Sequence, residues 1–154
     1  MQDLQQLLPP HRVLCRRDVG SMKSLFTHIA DAISQDSPDI ATPTIIKELN
    51  AREKLGSTGL GDGIAIPHTR LEGLEKPCGC LITLVDGIDF DAPDNKKVDI
   101  VFALLVPSEA NGEHLQILSS LAKLFVQPEF CQRLRAAENA QALHELVLNW
   151  PVET

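Results

Sequence analysis

The chain has 154 residues, 44% of them hydrophobic and 23% charged, with a net charge of −7. A chain of that length buries roughly 70% of its unfolded surface, so one domain over residues 1–154 is expected. The acidic balance argues against general nucleic-acid binding, which needs clustered Lys and Arg, and no apolar run approaches the ~20 residues that cross a membrane. Residues 1–10 carry Asp3 and several Gln without a basic start, so they do not read as a signal peptide. Cys15, Cys78, Cys80 and Cys131 are expected as reduced thiols in a cytoplasmic protein.

The predicted elements alternate between helical and strand patterns, the mark of an α/β layered fold. A short helix over Asp3–Leu8 ends at Pro9-Pro10, and Val13–Cys15 suits a brief edge strand. From Ser21 to Ser34 the apolar residues Leu25, Phe26, Ile29, Ala30 and Ile33 share one helical face. Thr42-Pro43 reads as an N-cap followed by proline at the first helical position of a second helix, which presents Ile45, Ile46 and Leu49 to the core and has Gly56 as its C-cap.

Four glycines, at 56, 59, 61 and 63, then make a backbone able to turn sharply or approach a ligand closely. Ile64–Ile66 is a short apolar run closed by Pro67. Cys80–Val85 reads as a strand, and Asp86-Gly87 as a hairpin turn leading to Ile88 and Phe90. Val98–Val106 is almost wholly apolar, as suits a central strand covered on both faces and stopped by Pro107. Three helices follow: one from about Asn111 to Val126, one from Pro128, and one from near Asn139.

His68 sits directly after the apolar run, behind the glycine-rich loop, where ligands collect in α/β folds. Unprotonated imidazole is a competent acceptor for a phosphoryl group. Taken alone, one histidine beside glycines is a weak signal, and an ordinary loop histidine is the simpler reading. His114 falls in the first turn of the helix beginning near Asn111, where the positive dipole end attracts an anion and favours neutral imidazole; an ordinary helix residue is again the simpler reading. Arg52, at the end of the second helix, suits either a guanidinium forked onto phosphate oxygens or a solvated helix-end charge. Ser57 and Thr58 suit phosphoryl hydrogen bonds or plain turn formation. Cys78-Gly79-Cys80 with His68 and His114 would be a Cys/His metal set, but the close pair lacks the usual two-residue gap and no second pair follows, so no metal is expected. Neither GxxxxGK[ST] nor a GxGxxG opening a helix is present, and no cofactor is expected. His11, His28 and His144 read as surface or helix residues.

The run Arg52-Glu53-Lys54-Leu55-Gly56-Ser57-Thr58-Gly59-Leu60-Gly61-Asp62-Gly63-Ile64-Ala65-Ile66-Pro67-His68 closely resembles the signature of the enzyme IIA domains of the fructose/mannitol class of the bacterial phosphoenolpyruvate phosphotransferase system. The resemblance continues through Phe90–Asp94, Val98-Asp99, Phe102–Pro107 and His114-Leu115 to Leu134–Ala137. It implies a three-layer α/β/α sandwich with a mixed central sheet of about four to five strands. It also implies His68 as the phosphorylation site, on Nε2, with Arg52 and His114 around the phosphoryl group. The donor would be a small histidine phosphocarrier protein charged by an enzyme I.

Within that family the chain is most similar to the nitrogen-related regulatory branch, whose output is partner choice set by phosphorylation state. Potassium transport systems and sensor kinases are the kinds of target implied. It departs from the branch's commoner His-Gly-Lys pattern at Thr69 and Arg70. Three other outputs stand beside this one: a free-standing IIA component passing the phosphoryl group to a sugar-specific IIB domain, a regulatory binding module without phosphotransfer, and a metal-dependent hydrolase.

Overall fold

The computed structural model describes residues 4–109 and 112–150. The helices are α1 (Leu4–Leu7), α2 (Met22–Asp36), α3 (Thr42–Lys54), α4 (Glu113–Phe125), α5 (Pro128–Ala136) and α6 (Ala140–Asn149). The strands are β1 (Val13–Arg17), β2 (Gly59–Gly61), β3 (Ile64–Ala65), β4 (His68–Leu71), β5 (Cys78–Ile88) and β6 (Val98–Pro107). The strands form one six-stranded mixed sheet in the order β1-β5-β6-β3-β2, with β4 also paired to β6. β1 runs parallel to β5, β3 and β4 run parallel to β6, and the β5–β6 and β2–β3 pairs are antiparallel.

Side-chain alternation along β6 divides the interior in two. Val101, Ala103 and Leu105 face one core with Leu25, Phe26, Ile29, Ile33, Ile45 and Leu49 of α2 and α3. Ile100, Phe102, Leu104 and Val106 face the other, with Ile117, Leu121, Phe125, Phe130, Leu134 and Leu143 of α4 to α6. The result is the expected three-layer α/β/α sandwich, with the apolar run of β6 at its centre and buried on both faces. The strand count rises to six because the glycine-rich stretch itself contributes β2 and His68 opens β4.

Local chemistry accounts for several boundaries. Ser21 caps α2 by accepting from the Ser24 N–H at 3.1 Å, and Asn139 caps α6 by accepting from the Ala142 N–H at 2.8 Å. α3 starts one position earlier than expected: Ala41 is the N-cap, its carbonyl accepting from the Thr44 and Ile45 N–H groups, and Thr42 makes no side-chain cap.

The expected hairpin turn at Asp86-Gly87 does not form. β5 continues through both residues to Ile88, which pairs with Val98 beyond a register shift, and residues 89–97 make the connection. Gly87 serves close approach instead: a Cβ there would lie 2.8 Å from Lys97 Cβ. The extended pairing with β6 outweighs the local turn preference of the dipeptide.

Arg12, nearly fully buried, pins the first segment. Its Nε–H donates to the Gly79 carbonyl at 2.8 Å and its Nη2–H to the Leu7 carbonyl at 3.1 Å, while Nη1 pairs with Asp36. The His144 Nε2–H reaches the Leu8 carbonyl at 2.8 Å. His28, inside α2, donates from Nδ1 to the Ser24 carbonyl, and exposed His11 pairs with Asp36.

Candidate functional site

His68 begins β4, which pairs with β6 alone and so forms an open edge of the sheet beside β3. Pro67 separates β3 from β4, and its carbonyl accepts from the Leu104 N–H at 2.8 Å, so both short strands follow the same edge of β6. At this edge the helical layers reach around to a shared cavity of about 300 Å³, lined by Glu48 and Arg52 of α3, His68, Thr69 and Arg70 of β4, Leu104 and Val106 of β6, and Leu118 of α4.

The His68 ring is held by its own neighbourhood. Nδ1 lies 2.8 Å from the Ile66 carbonyl oxygen. A carbonyl oxygen only accepts, so Nδ1 carries the proton and the neutral ring has its basic lone pair on Nε2. The half-buried ring is positioned by a backbone group two residues earlier, on the far side of Pro67.

Arg52 reaches the same cavity from the last turn of α3, and its Nη1–H donates to the Gly56 carbonyl at 2.9 Å. That bond ties the guanidinium to the glycine-rich loop following α3. His114 stands one turn before Leu118 in α4, and its side chain lies outside the described residues.

Ser57 and Thr58 are not brought to the cavity. The Ser57 hydroxyl donates to the Phe90 carbonyl and accepts from the Gly59 N–H, each at 3.1 Å. Buried Thr58 gives both its N–H and its hydroxyl to the Glu53 carboxylate. Both residues hold the loop against α3 and residue 90, as the turn-forming alternative for them implies.

The far end of the loop has its own anchor. Arg135 of α5 forks onto Asp99, Nε–H to Oδ2 and Nη2–H to Oδ1, each at 2.9 Å, and Nη2 also donates to the Asp62 carbonyl at 2.7 Å. The bond to Asp99 keeps the guanidinium charged, above its ordinary range. Gly63, at φ +86°, lies directly beneath: a Cβ would be 2.6 Å from Arg135 Nη2 and 2.8 Å from Asp99 Oδ1. Sequence reasoning gave this pair no role, although Asp99 and Arg135 both fall in the family-like segments.

Cys78 and Cys80 lie two residues apart in β5, both buried in the core beneath α2 and α3. Burial pushes the Cys80 thiol up to about 12 and raises that of Cys78. Among the described residues no group of three or more His, Cys, Asp or Glu gathers to hold a metal ion, and no helix is long and apolar enough to cross a membrane.

A family model described as "Phosphoenolpyruvate-dependent sugar phosphotransferase system, EIIA 2" matches residues 6–150. The chain belongs to this EIIA 2 family. Among EIIA 2 relatives, the nitrogen regulatory protein of Pseudomonas aeruginosa is 42% identical over 146 residues, which cover 95% of each chain. The crystal structure of the nitrogen regulatory protein IIA-Ntr from Neisseria meningitidis superposes with a TM-score of 0.88 at 38% identity, covering 94% of this chain and 98% of that one. A fructose-specific EIIA component of Haloferax volcanii is 33% identical over 128 residues, 83% of this chain and 80% of that one. The EIIA 2 sheet and its two helical layers are therefore the fold that the sequence resemblance implied.

Proposed function

We propose that this chain is a phosphocarrier and regulatory IIA protein. It accepts a phosphoryl group on Nε2 of His68 from a histidine phosphocarrier protein and acts on partners according to its phosphorylation state. The observation that carries the reading is the His68 ring, fixed by the Ile66 carbonyl at a cavity it shares with Arg52. The setting is cytoplasmic.

In the transfer, the Nε2 lone pair attacks phosphorus in line as the donor's P–N bond breaks, and the donor imidazole keeps the bonding pair. Chemistry of this kind depends mainly on positioning and charge stabilisation. The Nδ1–H bond to Ile66 stabilises the positive charge that the ring gains as Nε2 becomes bonded to phosphorus. Arg52 neutralises the phosphoryl oxygens, with His114 as the proposed second hydrogen-bond donor. The activated phosphoryl group arrives on the donor, so neither a metal nor a nucleotide is required.

Similarity to the nitrogen regulatory proteins of Pseudomonas and Neisseria supports a regulatory output. Targets of the potassium-transport or sensor-kinase type are part of the proposal. The fructose-specific relative supports a second reading, in which a sugar-specific IIB domain takes the phosphoryl group.

Intact mass after incubation with phosphoenolpyruvate, enzyme I and a histidine phosphocarrier protein tests the chemistry. One acid-labile phosphoryl group is expected on the native chain and none on His68→Ala. An unlabelled native chain would overturn the phosphocarrier reading. Discharge by an isolated IIB domain would move the sugar-transport output ahead of the regulatory one.

A further inference from the structure

We infer that Arg70 is a second phosphoryl-binding guanidinium, closing with Arg52 a two-arginine clamp on His68. The inference rests on the phosphocarrier reading and concerns a residue at which this chain departs from the branch's His-Gly-Lys pattern.

Strand geometry carries the argument. Side chains two apart on a strand share a face. Leu71 is buried in the core beneath α2 and α3, so Thr69 shares that side of β4, and His68 and Arg70 share the opposite one. Register agrees: His68 pairs with Leu104 and Arg70 with Val106, two residues that point into the core beneath α4 to α6. All four line the cavity. Arg52 enters the same cavity from α3, which packs over β4. A phosphoryl group on His68 thus lies between guanidinium groups from two different elements.

The charges suit this occupant. Among the described residues that line the cavity, Arg52 and Arg70 bring two positive charges and Glu48 one carboxylate. A phosphohistidine carries about two negative charges near neutral pH, as other phosphorylated side chains do. The planar fork of arginine matches phosphoryl oxygens in a way that a lysine ammonium does not. Arg70 Nη1–H donates to the Ser108 carbonyl at 3.1 Å, which holds the side chain along the strand edge.

The test uses phosphoramidate, a small donor that removes any contribution from protein docking. The His68 Nε2 lone pair forms the new N–P bond, the P–N bond of the donor breaks, and ammonia leaves with the electron pair and a proton. The native chain, Arg70→Ala, Arg70→Gln, Arg70→Lys and His68→Ala are compared by initial labelling rate and by the ³¹P resonance of the phosphohistidine, with thermal unfolding as the fold control.

Arg70→Ala and Arg70→Gln are expected to keep the native unfolding temperature, to label about tenfold slower or worse, and to shift the ³¹P resonance; a lost hydrogen bond to a charged group has that size. Arg70→Lys is expected to recover part of the rate. Gln keeps a donor for Ser108 but has no charge, so native behaviour in Arg70→Gln with a defect only in Arg70→Ala would reduce Arg70 to a tether and overturn the clamp. Native rate and resonance in all three variants would overturn it as well. In either case a labelled native chain leaves the phosphocarrier reading intact; a native chain no better labelled than His68→Ala would overturn both.

Discussion

His68 Nδ1 donates to the Ile66 carbonyl oxygen across 2.8 Å, which sets the tautomer of the ring before any phosphoryl donor arrives. Long-range ¹⁵N–¹H correlation at a pH where the ring is neutral should show the proton on Nδ1, and the phosphorylated chain should carry its N–P bond at Nε2. A proton found on Nε2 of the neutral ring would mean that the Ile66 contact does not govern the chemistry.

Removing the guanidinium that enters from α3 should slow transfer without unfolding the chain. Arg52 is half-buried at the cavity, and its guanidinium donates to the carbonyl of exposed Gly56. Arg52→Ala is expected to retain native circular dichroism and to label some tenfold to a hundredfold more slowly, the range for losing a charge-assisted hydrogen bond in the transition state. His114→Ala is expected to behave alike. Unchanged labelling in both variants would confine the phosphoryl site to His68.

Gly63 should be intolerant of even one added carbon. Its φ of +86° is unfavourable for other residues, and a Cβ would press on the Arg135–Asp99 pair. Gly63→Ala is expected to lose about 2–3 kcal/mol in urea unfolding, combining backbone strain with disturbance of a hydrogen-bonded ion pair. In an Arg135→Ala background the loss should be smaller, because the obstructing guanidinium is gone. Equal losses in both backgrounds would assign the whole cost to the backbone.

Acid should act through Asp36. Burial opposes its ionisation, but hydrogen bonds from His11 and Arg12 outweigh that and hold the carboxyl below its ordinary 3.8. A carboxylate with a depressed folded-state pKa stabilises the fold above its unfolded-state value, and the contribution disappears as pH falls through the folded-state value. The native chain should therefore lose stability on acidification from about pH 4 downward, and Asp36→Asn should flatten that part of the curve while being less stable at neutral pH. Parallel curves for the two proteins would remove Asp36 as the titrating group.

Alkylation offers a separate test of the core. Cys80 is wholly buried, with its thiol pushed up to about 12. Iodoacetamide at pH 8 should leave Cys80 unmodified in the folded chain and modify it in 8 M urea. Rapid native labelling at Cys80 would mean that β5 opens readily.

The parts legible in the sequence are those governed by periodicity and local caps. Leu25, Phe26, Ile29 and Ile33 announce one helical face because they repeat at the spacing of the helix, and the starts of α2 and α6 lie close to Ser21 and Asn139, where the sequence reading put them. Val98–Val106 announces a central strand because both of its faces must be apolar. His68 stood out through its glycine-rich approach and through family likeness.

The remainder depended on partners distant in the chain. β2 to β4 are only 3, 2 and 4 residues long, too short for alternation to announce them, and they become strands because β3 and β4 find an edge of β6 and β2 pairs with β3. Asp86-Gly87 has turn chemistry, yet it stays extended because Ile88 finds Val98. The cavity gathers Glu48, Arg70 and Leu118 from three elements, a convergence that no local spacing encodes. Sequence alone therefore determined which faces are buried and singled out His68 as the candidate acceptor, since those follow from local repeat and motif; only the tertiary structure decided which charged side chains line a cavity with that histidine, since contacts between distant elements exist only after the sheet has closed.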